Sequence, residues 1–246
     1  MLLIICVFII HWYLSIFLQT FFHHRYAAHK MFTMSKGWER FFFLASYLIQ
    51  GSSYLSPKIY AILHRMHHAY TDTEEDPHSP SHTHNLFEMM WQTRHIYRGI
   101  SHGKVEVEAR FMKELPEWDL IDKIGGNYFS RIFWGLMYLA FYVAFAPSYW
   151  WFLLLPIHFL MGPVHGVIIN WFSHTIGYRN FNTEDTSTNY LPFDFLTMGE
   201  GYHNNHHKYS SRPNFGGVRW HELDPTFWVI KLFNKLNIIQ LRRAVV

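Results

Sequence analysis

The chain is short of the residues that make covalent or thiolate staples. Its 246 residues include one cysteine, Cys6. No internal disulfide can form, and no cysteine cluster can hold a metal. Cys6 lies in an apolar run, where a free thiol is expected to pack as a small buried hydrophobe. Charge is scarce too: Asp, Glu, Lys and Arg make up 16% of the residues, against roughly 25% in soluble domains. The net charge is +3, and no run of Lys or Arg reads as a nucleic-acid patch. No internal repeat and no low-complexity linker divide the chain, which reads as a single domain over 1–246. What is plentiful is apolar and aromatic: half the residues are hydrophobic, a fifth are aromatic, and 19 are histidines.

The apolar residues gather in four stretches, at about 2–22, 41–63, 128–146 and 149–171. A transmembrane helix needs ~20 such residues to cross a ~30 Å hydrocarbon core. The first stretch lacks a basic n-region and is too long for a signal-peptide core, so it reads as a span that stays. Stretches three and four are separated by Ala146-Pro147-Ser148 and read as a helical hairpin. All 21 Lys and Arg lie in or beside the other segments, which places those segments in the cytoplasm and the turn outside. Stretch two contains Gln50-Gly51-Ser52-Ser53 and Pro57, which break a clean helix. The expectation is a segment that dips into the membrane and returns. This gives an all-α membrane protein of about 3–4 transmembrane helices, with the N-terminus outside and the C-terminus inside. Residues 69–127 and 175–246 then form a cytoplasmic helical cap.

Three histidine clusters flank these stretches: His24-Arg25-Tyr26-Ala27-Ala28-His29, His64-Arg65-Met66-His67-His68 and His203-Asn204-Asn205-His206-His207. His174 stands alone, with Asn170 one helical turn earlier. Positions i, i+3 and i+4 share a helix face, so each H-x-x-H-H set is expected to project together. His24 and His29 are five apart, about 140° around a helix at ~100° per residue, and converge only where the helix ends between them. A lone histidine is ordinarily a packed or solvated side chain, but repeated clusters beside apolar spans point to metal. Nine imidazoles exceed the four ligands of one zinc and suit two ions. Ligand type alone leaves iron, zinc, copper and nickel open. A site at the mouth of a bilayer with no obvious nucleophile suits oxygen chemistry on an apolar substrate, and breaking an unactivated C–H bond requires a redox metal. The carboxylate-bridged alternative is weak, because Glu75-x-x-His78 contains Pro77 and Glu200-x-x-His203 stands alone.

At these residues the sequence resembles the membrane fatty acid desaturases, specifically the Δ9 (stearoyl-type) branch. The resemblance is carried by the H-x-x-x-x-H box at His24, the H-R-x-H-H box at 64–68, Asp76-Pro77-His78 and Asn170-x-x-x-His174. The most specific string is Gly199-Glu200-Gly201-Tyr202-His203-Asn204-Asn205-His206-His207. In front-end desaturases the first residue of this third box is usually Gln; here it is His203. The resemblance implies two ferrous ions held by His24, His29, His64, His67, His68, His174, His203, His206 and His207, with Asn170 acting through a water. It also implies O₂ and a cis double bond near carbon 9 of a saturated C16/C18 acyl chain, acyl-CoA foremost, lying in a kinked tunnel between aromatic helices. Two electrons would come from a separate donor such as ferredoxin, rubredoxin or cytochrome b5. The animal members have two spans before the first box where one fits here. The short form without a fused cytochrome looks bacterial, which suggests an inner membrane with the site on the cytoplasmic side. Zinc outranks ferrous iron in intrinsic affinity and is expected as a misincorporated metal.

Other residues have more ordinary expectations. Asp76, Asp194 and Glu200 are candidates to back the ligands, since ligating histidines usually donate their other N–H to a carboxylate or carbonyl. His23 is expected beside a ligand or on the surface. His11 is expected to pack within protein, and His158 and His165 to pack or to line the tunnel. His82, His84, His95, His102 and His221 are expected in the cap or on its surface. Asp72, Glu74, Glu75 and Asp76 read as a solvated acidic loop. Lys231, Lys235, Arg242 and Arg243 read as a basic tail that meets anionic lipid or an acyl-carrier phosphate. The rival functions are a lipid or alkane hydroxylase of the same histidine-box type and a non-enzymatic membrane metal-binding protein. A transporter would place its ligands near the bilayer midplane, whereas these lie just beyond the apolar runs.

Overall fold

A computed structural model describes residues 1–242 and is almost wholly helical; Arg243 lies outside the described residues. Helix α1 (Leu2–Leu18) continues without a break into a π-helix, Gln19–Ala28. A short strand β1 (Phe32–Met34) leads to α2 (Lys36–Gln50), whose N-terminus is capped by Ser35. A 3₁₀ turn at Gly51–Ser53 separates α2 from α3 (Pro57–Tyr70). The cap helices α4 (Leu86–Ser101) and α5 (Asp119–Gly126) follow. Then come α6 (Tyr128–Phe145), α7 (Leu155–Phe159) and α8 (Met161–Val167), which ends in a second π-turn at Ile168–Phe172. Helix α9 (His203–Lys208) and α10 (Pro225–Lys235) precede β2 (Ile239–Leu241), which pairs antiparallel with β1.

Two helices are long and apolar enough to cross a membrane, Leu2–Ala28 and Tyr128–Phe145. A third candidate is the pair Tyr149–Phe159 and Met161–Phe172, bent by 75°. Helix α6 buries only Tyr142 and turns Phe129, Ile132, Phe133, Leu136, Met137 and Val143 outward. A helix apolar all round suits hydrocarbon rather than water. Cys6 is likewise exposed on α1 rather than buried, because this helix keeps Leu2, Leu3, Ile9 and Ile10 outward as well.

The second apolar stretch is not a crossing helix. Its two ends lie at the same level: His64 on α3 returns to within 2.8 Å of His29, which precedes α2. The far end of α2 reaches the middle of α1, where the carbonyl of Ile49 accepts from His11 Nε2 at 2.8 Å. The fourth stretch also departs from the expected straight span. Pro163 has no N–H and would clash with the carbonyl of Phe159 in a continuous helix, and the chain breaks at Leu160.

The two breaks repair one another. Ser52 Oγ donates to the freed carbonyl of Phe159 at 3.0 Å, and Gly162 N donates to Ser53 Oγ at 3.1 Å. Arg131 donates to the carbonyls of Ser52 and Tyr54, both at 2.9 Å. Gln50 Oε1 accepts from Leu55 N at 3.0 Å. Backbone groups that leave a helix at membrane depth need such partners. Gly51 adopts φ 52°, and a Cβ there would strike the Tyr138 hydroxyl. Nearer the histidine end, an aromatic core of Phe21, Phe22, Tyr26, Phe32, Phe42 and Phe43 joins the π-helix to α2 and β1.

Candidate metal centre

His24 and His29 share one side because the helix widens before it ends. The amide of His29 bonds the carbonyl of His24 at 3.1 Å. This i→i+5 link is the π-helical pattern, common at functional sites. The helix does stop at Ala28, as the spacing requires, but the π-turn brings the two rings to 4.9 Å. Arg65 covers the carbonyls this ending leaves open, donating to those of Ala27 and Ala28 at 3.0 and 2.8 Å.

The nine histidines converge in two groups. His24, His29, His64, His68 and His206 form one; His67, His174, His203 and His207 form the other. Within each group one ring nitrogen per residue lies within 4.8 Å of all the others. The second and third boxes therefore do not each serve one point. In each box the i, i+4 pair (64/68 and 203/207) goes to one group and the third histidine (67 and 206) crosses to the other.

The hydrogen-bond partners fix several tautomers. A carboxylate only accepts, so His67 Nδ1–H donates to Asp76 at 2.8 Å and His207 Nδ1–H to Asp185 at 2.9 Å. Both Nε2 atoms are then bare, yet they face one another at 3.3 Å. No proton lies between them, so this is not a hydrogen bond. Two nitrogens that each ligate an ion at ~2.0–2.1 Å stand about 3–3.4 Å apart. His174 repeats the pattern: its Nδ1 meets Thr186 Oγ1 at 3.1 Å, that hydroxyl donates to Asp72 at 2.8 Å, and Nε2 is buried without a partner. In the other group, His24 Nδ1–H donates to Glu200 at 2.6 Å and leaves its Nε2 3.1 Å from that of His206. These histidines can bind metal. Burial, with neighbouring imidazoles adding to it, pushes His67 and His174 down to about 3, and His64, His68, His203 and His206 well below the ordinary value. They are neutral at pH 7, the form that ligates metal.

Glu200 belongs to a buried ion network. Arg25 donates to Glu200 at 3.1 Å and to Asp224 at 2.7 Å. The glycines of the G-E-G string make room for this: a Cβ on Gly199 would strike the Asp224 carboxylate, and one on Gly201 would lie 2.9 Å from Asp194. The box asparagines fasten α9 from behind. Asn204 accepts from the amides of Asn180 and Phe181, and Asn205 donates to Phe215 O and Glu222.

Several expectations need correction. Asp194 backs no histidine; it accepts from the amides of Thr197, Gly199 and Gly201 and holds the turn before the third box. Asp76 and Glu200 do back ligand candidates. The acidic loop is only half solvated: Glu74 and Glu75 are exposed, while Asp72 and Asp76 turn inward. His23 is fully buried, between the carbonyls of Leu18 and Leu55, and lies neither on the surface nor against a carboxylate. His11 packs as expected, accepting at Nδ1 from His158, which in turn meets Tyr142. His82, His84, His95 and His102 are exposed. Lys231 lies over the Phe227 ring, and Arg242 pairs with Glu114. Asp185 was missed. It has no periodic relation to any box, and only the loop between His174 and α9 brings it to His207. His78 was not assigned as a ligand; it stacks on His67 at 4.4 Å and makes a third, smaller group with His67 and Asp76.

A cavity of about 710 Å³ reaches this centre. Leu55, Ile59, Leu63, Phe159, Leu160 and Ile169 supply its apolar wall, while His64, His78 and Asn170 line it on the histidine side. His158 and His165 do not line it. The exposed residues Arg94, Arg98 and His102 line its open side.

The chain is similar in sequence to known proteins. The chain is 32% identical over 231 residues to Delta-9 desaturase-like 5 protein of Arabidopsis thaliana, covering 89% of this chain and 70% of that one. It is 30% identical over 227 residues to an acyl-CoA C20 Delta5-desaturase of Anemone leveillei (91% and 68%). It is 32% identical over 220 residues to sn-1 stearoyl-lipid 9-desaturase of Anabaena variabilis (87% and 74%). The family model for fatty acid desaturase matches residues 1–237, and with the histidines gathered as described, the chain belongs to the fatty acid desaturase family.

Proposed function

We propose that this oxidoreductase is an O₂-dependent di-iron desaturase that places a cis double bond at Δ9 of a saturated C16/C18 acyl chain. The observation that carries this is a 710 Å³ apolar cavity whose wall includes His64, a member of the five-histidine group. One ion would be held by His24, His29, His64, His68 and His206, and the other by His67, His174, His203 and His207. Asn170, which lines the cavity beside His64, would act through a water there. Bound iron supplies the redox chemistry with O₂ that an unactivated C–H bond requires. Removing two hydrogens while O₂ becomes two waters consumes two electrons and two protons besides. The electrons come from a separate carrier such as ferredoxin, rubredoxin or cytochrome b5.

The chain's own residues bind and align. The apolar wall takes the alkyl chain and excludes water. Arg94 and Arg98 offer cations to an anionic head group, which favours acyl-CoA as substrate. Asp76, Asp185 and Glu200 hold His67, His207 and His24 with their bare nitrogens inward. Basic residues beside the histidine end favour placing that end on the cytoplasmic face of its membrane, which we take to be a bacterial inner membrane. The relatives carry names with both Delta-9 and Delta5 positions, so bond position is the part to measure. Expression in a host lacking unsaturated lipids, followed by mass spectrometry of the product chains, should show an alkene at carbon 9. Hydroxylated chains without alkene would sink the desaturase reading.

A further inference from the structure

The two histidine groups differ in the charge that stands behind them. In the four-histidine group, His67 rests on Asp76 at 2.8 Å and His207 on Asp185 at 2.9 Å. His174 reaches Asp72 through the Thr186 hydroxyl, with the carboxylate itself 3.8 Å from Nδ1. None of these three carboxylates forms an ion pair with Lys or Arg among the described residues. Their remaining partners are uncharged hydroxyls and amides: Ser79 and Ser81 for Asp72, the amides of Asp72 and His78 for Asp76, and Thr183 and Ser187 for Asp185. In the five-histidine group one carboxylate, Glu200, meets one ring, His24. Arg25 pairs with Glu200 and with Asp224, so the network carries one net negative charge. His206 Nδ1 has no partner, and in the four-histidine group the same is true of His203 Nδ1.

We infer that the four-histidine half is the tighter metal site and fills first, despite having one ligand fewer, because Asp72, Asp76 and Asp185 set three unneutralised charges behind its imidazoles. The inference rests on the reading that both groups hold a metal. Two effects compete. A fifth imidazole adds one neutral donor to the other half. Three anions, Asp76 with its side chain buried and Asp72 and Asp185 half-buried, act on the full charge of a dication, and each also raises the basicity of the ring it backs, Asp72 through the Thr186 hydroxyl. The same charge favours a higher oxidation state, so the half with fewer protein ligands is also the half better suited to losing an electron. Asp72, Asp76 and Asp185 act here as positioning residues, through the rings they hold.

Cobalt(II) tests this without reference to turnover, since four-coordinate Co²⁺ absorbs far more strongly in the visible than five-coordinate Co²⁺. The purified, metal-free full chain in detergent is titrated with Co²⁺. The first equivalent should bring the intense four-coordinate bands and the second a weaker five-coordinate spectrum. Asp185→Asn should weaken the four-coordinate step by roughly 10–100-fold and bring the five-coordinate spectrum forward. Asp76→Asn serves as the second variant if the first does not fold. Glu200→Gln should weaken only the five-coordinate step. A five-coordinate spectrum at the first equivalent, simultaneous filling, or an unchanged order in both Asp variants would overturn the ranking while leaving two sites standing. No bound Co²⁺ in folded protein would overturn the metal reading itself.

Discussion

At the scale of the residue, the centre rests on carboxylates that decide which ring nitrogen is bare. His206 lies in the five-histidine group with Nδ1 unpartnered and Nε2 3.1 Å from that of His24. His206→Ala should abolish unsaturated product while the protein remains in the membrane, read by lipid analysis beside immunodetection of the membrane fraction; full retained activity would contradict a ligand role. The buried rings also set an acid limit. Burial lowers His67, His78 and His174 from 6.5 to about 3. The unfolded chain takes up these protons near 6.5 and the folded one only near 3. Their contribution is therefore complete above about 6.5 and is lost as pH falls toward 3. Metal-free protein in detergent should melt at a lower temperature at pH 5 than at pH 7.5, by calorimetry. Eight of the nine histidines were legible from sequence because they come in boxes, and His174 because it follows Asn170 by one helical turn just past the fourth apolar stretch. Asp185 was not, because a contact made by a loop fold leaves no spacing to read. Asp194 misled for the opposite reason: it sits close to the third box in sequence but spends its acceptor capacity on the amides of Thr197, Gly199 and Gly201 and on the Thr197 hydroxyl.

At the scale of the element, spacing was a sound guide wherever the helix was an ordinary α-helix. The i, i+3, i+4 sets on α3 and α9 do project inward, although their histidines divide between two ions' worth of ligands, which periodicity alone does not reveal. The five-residue spacing of His24 and His29 signalled a departure from α-helix, which the structure makes as a π-turn whose last carbonyls Arg65 covers. Gly51 and Pro57 announced the break in the second stretch correctly. Gly162 and Pro163 were equally visible, but the apolar content around them read as a straight span. Gly51 gives a direct test. A side chain there meets φ 52°, ψ −116° and the Tyr138 hydroxyl, costing about 1–3 kcal/mol for the sparsely populated backbone and ~1–3 kcal/mol for overpacking. Gly51→Ala should lower the melting temperature. Gly37→Ala should not, because that position has negative φ and its nearest neighbour is Ser35 Oγ at 3.9 Å.

At the scale of the whole molecule, the histidine end and the turn at 146–148 lie at opposite ends of the helical body. In a Cys6→Ser background, cysteines at Ser148 and at Asn182 should be labelled by a membrane-impermeant maleimide from opposite sides of sealed vesicles. Labelling from one side would refute the proposed orientation. The overall plan, apolar helices carrying a polar histidine-bearing cap, was legible from composition and charge. The mutual docking of the broken segments was not, because it joins residues 52–53 to residues 159–162. That docking also constrains how the protein can be made. The segment at 51–55 emerges about a hundred residues before the carbonyl and amide that satisfy its serines, and before the Arg131 that covers its own carbonyls. Until α6 to α8 are in place, the Ser52 hydroxyl and the carbonyls of Ser52 and Tyr54 have only water to turn to, so the α2–α3 hairpin waits in the aqueous interface. The first half of the chain reaches its depth in the bilayer only when the second half arrives, which makes the histidine centre among the last parts of the protein to form.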